Sequence, residues 1–524
     1  MNTRYSGILG SVLFVLIIAL PRVSMANDLA VANVRLGPRD TSAKTLAVFF
    51  DLSWKNSWRN KINHDAAWVT VRLQDDASSE KKLCMVSAAG LNPAGAARGS
   101  NTDFEIFAPS DKTGVFYRRA TNHPAADVAT TSAMLTVNYD ACGFTATSNV
   151  SATVDAIEMV LIPQGAFFAG DNGSSTAAFK RGASDNNPWP VTSESAINVT
   201  GTASNGFYYV SAGNPGESST GSSFVIPAPF PKGYHAFYLM KYELTEGQWV
   251  GFVNALPAAA RIHRDVTDAS HKNSDAVVAR NTVACSGAPL VCGSANPQRA
   301  MTFLSWSDIC AFLDWSALRP VTELEFEKAA RGPFLPINGE YAWGNTNIVA
   351  ADALSGTSED GTEVVTTSGA NARFNDVVLS GGDAGQGAEH RQGPLRAGIF
   401  STTVSDRVTS GAGNYGALDL SGNVKEWVVP VGNAAALLYS GIHGDGYLTA
   451  VAGAEGNAFT ATWPGMDADP THGVTSATGA GFRGGSWADT ALRLAVSDRA
   501  EASSGASGAA STYGGRGARS AEDQ

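Results

Sequence analysis

Seven short runs lie between Leu29 and about Ala156: LAVANVRL, TLAVFFDLSW, AAWVTVRLQ, FEIFA, GVFYRR, AMLTVNYD and VSATVDAI. Each alternates apolar and polar positions or gathers β-branched and aromatic residues, and polar turns separate them. A period of two sends successive side chains to opposite faces, so the pattern predicts about seven strands, at a spacing that suits an all-β sandwich domain over residues 27–156. The stretch Trp54 to Arg59 (WKNSWR) reads as a hairpin whose aromatics pack on the sheet, with an exposed binding patch as the alternative.

Beyond residue 157 the period changes. Glu158 to Pro163 predicts a strand ended by proline, and Phe237 to Leu244 predicts another. Thr245, Ser305 and Thr322 each stand just before apolar residues at helical spacing, the position where a hydroxyl caps free backbone N–H groups. Three helices are therefore expected, the second running from Trp306 to Trp315. Residues 171–223, rich in Gly, Ser, Asn, Thr and Ala, predict a long loop insertion outside the core. After Gly332 the chain reads as loop, broken by short strands at Tyr341 to Trp343, Val424 to Val429 and Phe482 to Trp487.

Composition narrows the class. A chain of 524 residues exceeds the size of one ordinary core, so at least two domains are expected. A net charge of −11 with no Lys/Arg-rich run argues against nucleic acid or an anionic membrane as the partner. Arg4, the apolar stretch Gly7 to Leu20, Pro21 and Ser24-Met25-Ala26 read as a signal peptide over residues 1–26, which places the mature protein in the secreted, periplasmic or cell-surface space. That stretch falls short of the ~20 residues a membrane span needs. Of 5 cysteines, Cys285 and Cys292 bracket a loop short enough for a local disulfide, Cys84 and Cys142 are candidates to pair in the first domain, and Cys310 reads as a buried core residue.

Seven segments, in order, resemble the successive motifs of the formylglycine-generating-enzyme, or sulfatase-modifying factor, family: MVLIPQG from Met159, KYELT from Lys241, SWSD from Ser305, RPVTELEFEKAARG from Arg319, YAWGN from Tyr341, GALDLSGNVKEW from Gly416 and RGGSW from Arg483. The resemblance implies an α+β, C-type-lectin-like domain over residues 157–524, preceded by the all-β sandwich. Active members hold copper through two cysteines behind the Gly-Gly-Ser-aromatic motif. The matching positions here are Asp489 and Leu494, which cannot replace a thiolate pair, and no cysteine follows Cys310, so no copper and no catalysis are expected. A branch of the family with histidine-held iron has no counterpart in the ligand spacing of His64 and His123. The resemblance further implies a structural Ca²⁺ held by Asp419, the Gly422 and Val424 carbonyls and Glu426, two carboxylates with intervening carbonyls suiting a hard cation. The alternative is that Asp419 caps the turn and Glu426 forms a salt bridge. Arg483, Arg516 and the tryptophans Trp306, Trp315, Trp343 and Trp427 read as internal.

The tail behind Trp487 resembles the variable proteins of diversity-generating retroelements, which diversify residues at the C-terminal end of this fold. Adenine-directed diversification of Asn codons excludes Lys, Glu, Gln, Met and Trp, and from Ala488 to Tyr513 only Glu501 is of an excluded type. Within a variable region 482–520, the expected ligand-binding positions are Ala488, Asp489, Thr490, Arg493, Leu494, Asp498, Ser503, Ser504, Ser507, Ser511, Thr512 and Tyr513, with Ala491, Ala495, Val496 and Arg499 as scaffold. Ser, Gly and Tyr suit adaptable contact surfaces. The expectation is a secreted, non-catalytic binder of a protein or glycan ligand at a cell or phage surface. The alternative is an oxidase of the sulfatase-modifying type acting through a non-standard site.

Overall fold

The computed structural model describes residues 29–75 and 80–522; the expected signal peptide, residues 1–26, lies outside them. The organising element is the strand Asp65–Asp75. Its odd-numbered residues Ala67, Val69, Val71 and Leu73 enter a core shared with Val48, Phe50 and Leu135, whereas Ala66 and Trp68 enter a second core with Trp249, Phe312 and Trp315. Its even-numbered polar residues Thr70 and Arg72 are buried as well, Arg72 donating to Asp155 and lying over the Trp315 ring, so the strand is enclosed on both faces although its sequence alternates.

Two sheets enclose the first core. One runs Ala30–Asp40, Thr45–Arg59, His123–Asn138, Ala96–Ala97. The other has eight strands: Ala518–Ser520, Phe237–Met240, Val150–Ile162, Asp65–Asp75, Val115–Arg119, Phe104–Ala108 and Gly90–Leu91 in that order, with Lys82–Leu83 beside Asp65–Asp75. The expected boundary at residues 156/157 falls inside the strand Val150–Ile162. This strand pairs with Asp65–Asp75 from Val150 to Val160, and its end from Met159 to Ile162 also pairs with Phe237–Met240, so one sheet continues through both halves of the chain. Side chains close the junction. Trp68 Nε1 donates to the Ser316 carbonyl at 2.9 Å, Phe116 stacks on Tyr238 at 4.0 Å, and the Arg519 guanidinium lies 4.2 Å from the Trp68 ring.

Four α-helices occur among the described residues, and the three longer ones start where expected. Thr245, Ser305 and Thr322 cap Glu246–Ala255, Trp306–Trp315 and Glu323–Arg331, and in each the third residue's side chain returns to the cap N–H, a reciprocal box that satisfies two otherwise orphaned donors. Cys84–Cys142 and Cys285–Cys292 form disulfides, and the Cys310 thiol is free and buried.

Four expectations change. Trp54 to Arg59 is the bulged end of a long strand, not a hairpin, with Trp54 stacked 5.1 Å from Phe104 and donating to Asp65. Tyr341 to Trp343 is a turn, because the Tyr341 N–H and the Gly344 N–H bond locally to Asn345 and Tyr341 instead of to a neighbouring strand. The strand expected from Phe482 to Trp487 covers only Gly481–Arg483. The insertion at 171–223 is folded. It forms two small antiparallel pairs, Phe167–Ala169 with Trp189–Val191 and Ile197–Val199 with Phe224–Ile226, and buries Phe179, Phe207 and Tyr209 in the main core. Six apolar side chains set among glycines and serines suffice to anchor it.

Candidate functional site

The strand Lys425–Val428 lies between two partners, antiparallel Gly481–Arg483 and parallel Tyr513–Gly514. The segment joining those partners leaves the sheet and returns to it, and this excursion carries the expected tail positions. Gly484 and Gly485 start it, with φ of 86° and 65°, a region that side chains disfavour. A Cβ on Gly485 would also sit 2.7 Å from the Leu494 side chain. Trp487 closes the excursion, its Nε1 donating to the Ser511 carbonyl at 2.8 Å.

The tail positions divide into two groups. Ala488, Thr490 and Ser507 are exposed, and Asp489, Arg493, Ser504, Ser511, Thr512 and Tyr513 are half-buried. Leu494, Asp498 and Ser503 are not displayed, which corrects the expectation for these three. Leu494 is wholly buried among Phe326, Leu420 and Val496 because the Gly-Gly turn draws the chain back onto the core. Asp498 accepts the Ala500 N–H, and burial pushes its carboxyl above the usual range. Ser503 is trapped because its backbone crosses Gly481 too closely for any side chain at residue 481. Leu492, 78% exposed, was not anticipated; a lone leucine beside an inward alanine gives no periodic signal. Asp489 is held in a local cap, accepting the Ser486 N–H and hydroxyl at 3.0 and 2.6 Å, and lies 3.4 Å from Lys425 Nζ. Lys425 also pairs with Glu501 at 2.6 Å.

Beneath the excursion is a buried ionic network. Glu323, in the first helical turn, accepts from Arg483 at 2.9 Å and from Arg499 at 2.7 Å, and Glu327 accepts from Arg483 at 2.7 Å and from Arg331 at 3.1 Å. The Arg483 and Arg331 charges together overcome burial and hold the Glu327 carboxyl below its ordinary range. Arg499 lies between Phe179 at 4.2 Å and Tyr209 at 4.4 Å, which fastens the insertion to the tail. Arg483 and Arg499 are thus structural.

A second cluster surrounds the expected calcium ligands. Glu243, Asp419 and Glu426 are all buried, and the guanidinium of Arg516 binds Glu426 at 2.8 and 2.7 Å. Burial pushes all three carboxyls up, Asp419 to about 6, and Asp419 and Glu426 raise Glu243 further. Both Glu426 oxygens lie against Arg516 and Asp419 accepts the Gly398 N–H, the salt bridge and turn contact of the alternative, while the oxygen-only side chains are of the donor type a hard cation takes. No group of three or more His, Cys, Asp and Glu side chains arranged to hold a metal occurs among the described residues. The two copper positions do not fit copper, being a capped carboxylate and a core leucine.

Among the described residues no helix is long and apolar enough to cross a membrane. No curated protein matches the chain. A family model, the sulfatase-modifying factor enzyme 1-like domain, matches residues 145–521, well over half of the chain and beginning just before the strand that joins its two halves. The chain belongs to the sulfatase-modifying factor enzyme 1-like family.

Proposed function

We propose that the chain is an exported, non-catalytic ligand-binding member of this family, in which a β-sandwich precedes a C-type-lectin-like scaffold that displays its C-terminal excursion to a protein or glycan ligand at a cell or phage surface. The observation that carries the reading is the chemistry at residues 489 and 494. Thiolates would have to stand at both positions to hold Cu(I), yet one is a carboxylate engaged by Ser486 and the other a leucine sealed in the core. Four cysteines are committed to disulfides, and burial pushes the remaining Cys310 thiol up, away from the reactive thiolate form.

Display is supported by the division of the tail. Its ends are tied together by Trp487 and Ser511 and its middle is held by Arg499, while Ala488, Thr490, Leu492 and Ser507 project outward. Small hydroxyl side chains with one Tyr give adaptable contacts at low entropy cost. In this reading a retroelement diversifies the outward positions, and a structural Ca²⁺ held by Asp419, Glu426 and the Gly422 and Val424 carbonyls braces the sheet beneath them. The genomic neighbourhood tests the diversification directly. A reverse transcriptase and a near-copy of the codons for Phe482 to Ser520, differing at adenines, are expected; a neighbourhood with neither overturns it.

A further inference from the structure

The folded insertion encloses a groove of 460 Å³, remote from the tail in sequence and within the volume range of small-ligand sites. Its walls come from the strand Trp189–Val191, the strand Ile197–Val199 and the turn through residues 200–206. The strand period explains the lining. Ile197 and Val199 point into the core, so Asn198 between them faces outward into the groove. Thr200 and Thr202 pair their hydroxyls at 2.9 Å on the opposite wall. Gly206 leaves them that space, since a Cβ there would lie 2.3 Å from the Thr200 hydroxyl. Trp189 is half-buried, its ring held edge-on against Phe207 at 5.7 Å.

None of the lining side chains is charged, in a chain of net charge −11. The one ionisable residue between Trp189 and Gly206, Glu194, is turned away to accept the backbone N–H groups of Lys232 and His235. The nearest cation, Arg181, lies behind the lining, where it donates to Asn205 Oδ1 at 2.7 Å and lies 4.0 Å from Asp185, so an ionic ligand would lose hydration against a wall of neutral side chains. Hydroxyls and amides, by contrast, both donate and accept, which matches a ligand whose own groups do the same. A tryptophan ring at one end offers an apolar face.

We infer that this groove binds a neutral oligosaccharide, with Trp189 stacking on a sugar ring and Asn198, Thr200, Thr202 and Ser204 bonding its hydroxyls. This site is separate from the tail surface and does not depend on the tail's role. The test is isothermal titration and tryptophan fluorescence of the full chain against maltotetraose, cellotetraose, chitotetraose, mannotetraose and xylotetraose, with sialyllactose and tetragalacturonate as charged comparators. At least one neutral tetrasaccharide should bind saturably. The variant Asn198→Ala/Thr202→Ala, altered at two exposed positions, should keep its melting temperature and lose at least tenfold in affinity. Trp189→Ala should abolish binding, Trp189→Phe should retain part of it, and Val404→Ala, at a 91% exposed position outside both the groove and the tail, should change nothing. Failure of all five neutral sugars to bind, binding of the charged comparators alone, or full affinity in the double variant overturns the inference.

Discussion

Glu323→Ala is the perturbation that best probes how the tail is held. The Glu323 carboxylate accepts four hydrogen bonds, from Arg483 at 2.9 Å, from Arg499 at 2.7 and 3.0 Å and from the Val431 N–H at 2.7 Å. All three charged side chains are fully enclosed. Removing one member of a buried ion pair costs about 3–5 kcal/mol because the partner charge is stranded. Arg483 keeps Glu327, and Arg499 keeps its aromatic neighbours and Glu217 at 3.5 Å, so the loss should lie near the middle of that range, about 4 kcal/mol. Glu323→Gln keeps the shape and one acceptor and should lose about half as much, on the scale of charge-assisted hydrogen bonds at about 2 kcal/mol. The assay is equilibrium urea unfolding followed by tryptophan fluorescence and near-ultraviolet circular dichroism. Because Arg499 joins the insertion to the tail, hydrogen exchange over residues 176–209 should quicken in the same variant. A further Arg499→Ala change in the Glu323→Ala background should cost less than it does alone, as coupled neighbours do. A loss under about 1 kcal/mol for Glu323→Ala, below the cost of any stranded buried charge, would refute the reasoning.

Core and display positions in the tail should separate sharply: Leu494→Ala should cost about 2–5 kcal/mol, whereas Thr490→Ala and Ser507→Asn should stay within about 0.5 kcal/mol, read from urea midpoints. Removing Cys84–Cys142, with a sequence separation of 58, should cost about 4 kcal/mol by loop entropy, against about 2 kcal/mol for Cys285–Cys292 with a separation of 7, measured with paired Cys→Ala variants. Asp419, raised by burial from 3.8 to about 6, contributes stability that is present below pH 4 and is lost as pH rises through 6, so the calcium-free protein should weaken over that interval. At a hundredfold excess over Kd, Ca²⁺ should restore about 2.7 kcal/mol, more at pH 7.5 than at pH 5, and Asp419→Asn should abolish the gain in a thermal melt. Equal melts with and without Ca²⁺ at both pH values would contradict the assigned ligands.

Local signals in the sequence carried far. Thr245, Ser305 and Thr322 were readable as caps because a capping box lies within four residues, and the strand Asp65–Asp75 was readable from its own alternating run, AAWVTVRLQ. What escaped was long-range. Phe179, Phe207 and Tyr209 are diluted among Gly, Ser and Asn, so average composition hid an element that packs into the main core and against Arg499, about three hundred residues away. The boundary at residues 156/157 divided a single strand because one face of Val150–Ile162 serves the N-terminal core and then, further along, a different cluster that includes Phe326. In the tail, polarity suggested display, yet Asp498 is buried where it accepts the Ala500 N–H, and Ser503 where its backbone crosses Gly481, an approach that no side-chain pattern reveals.

The central claim is that this family member has exchanged thiolate chemistry for a displayed binding surface. Its most direct test is to load the full chain with Cu(I), measure bound copper by mass spectrometry, and incubate it aerobically with a cysteine-containing sulfatase peptide while following conversion to formylglycine. Copper well below one equivalent, and no product above the protein-free control, are the expected results. Stoichiometric copper, or turnover that persists after repurification, would contradict it.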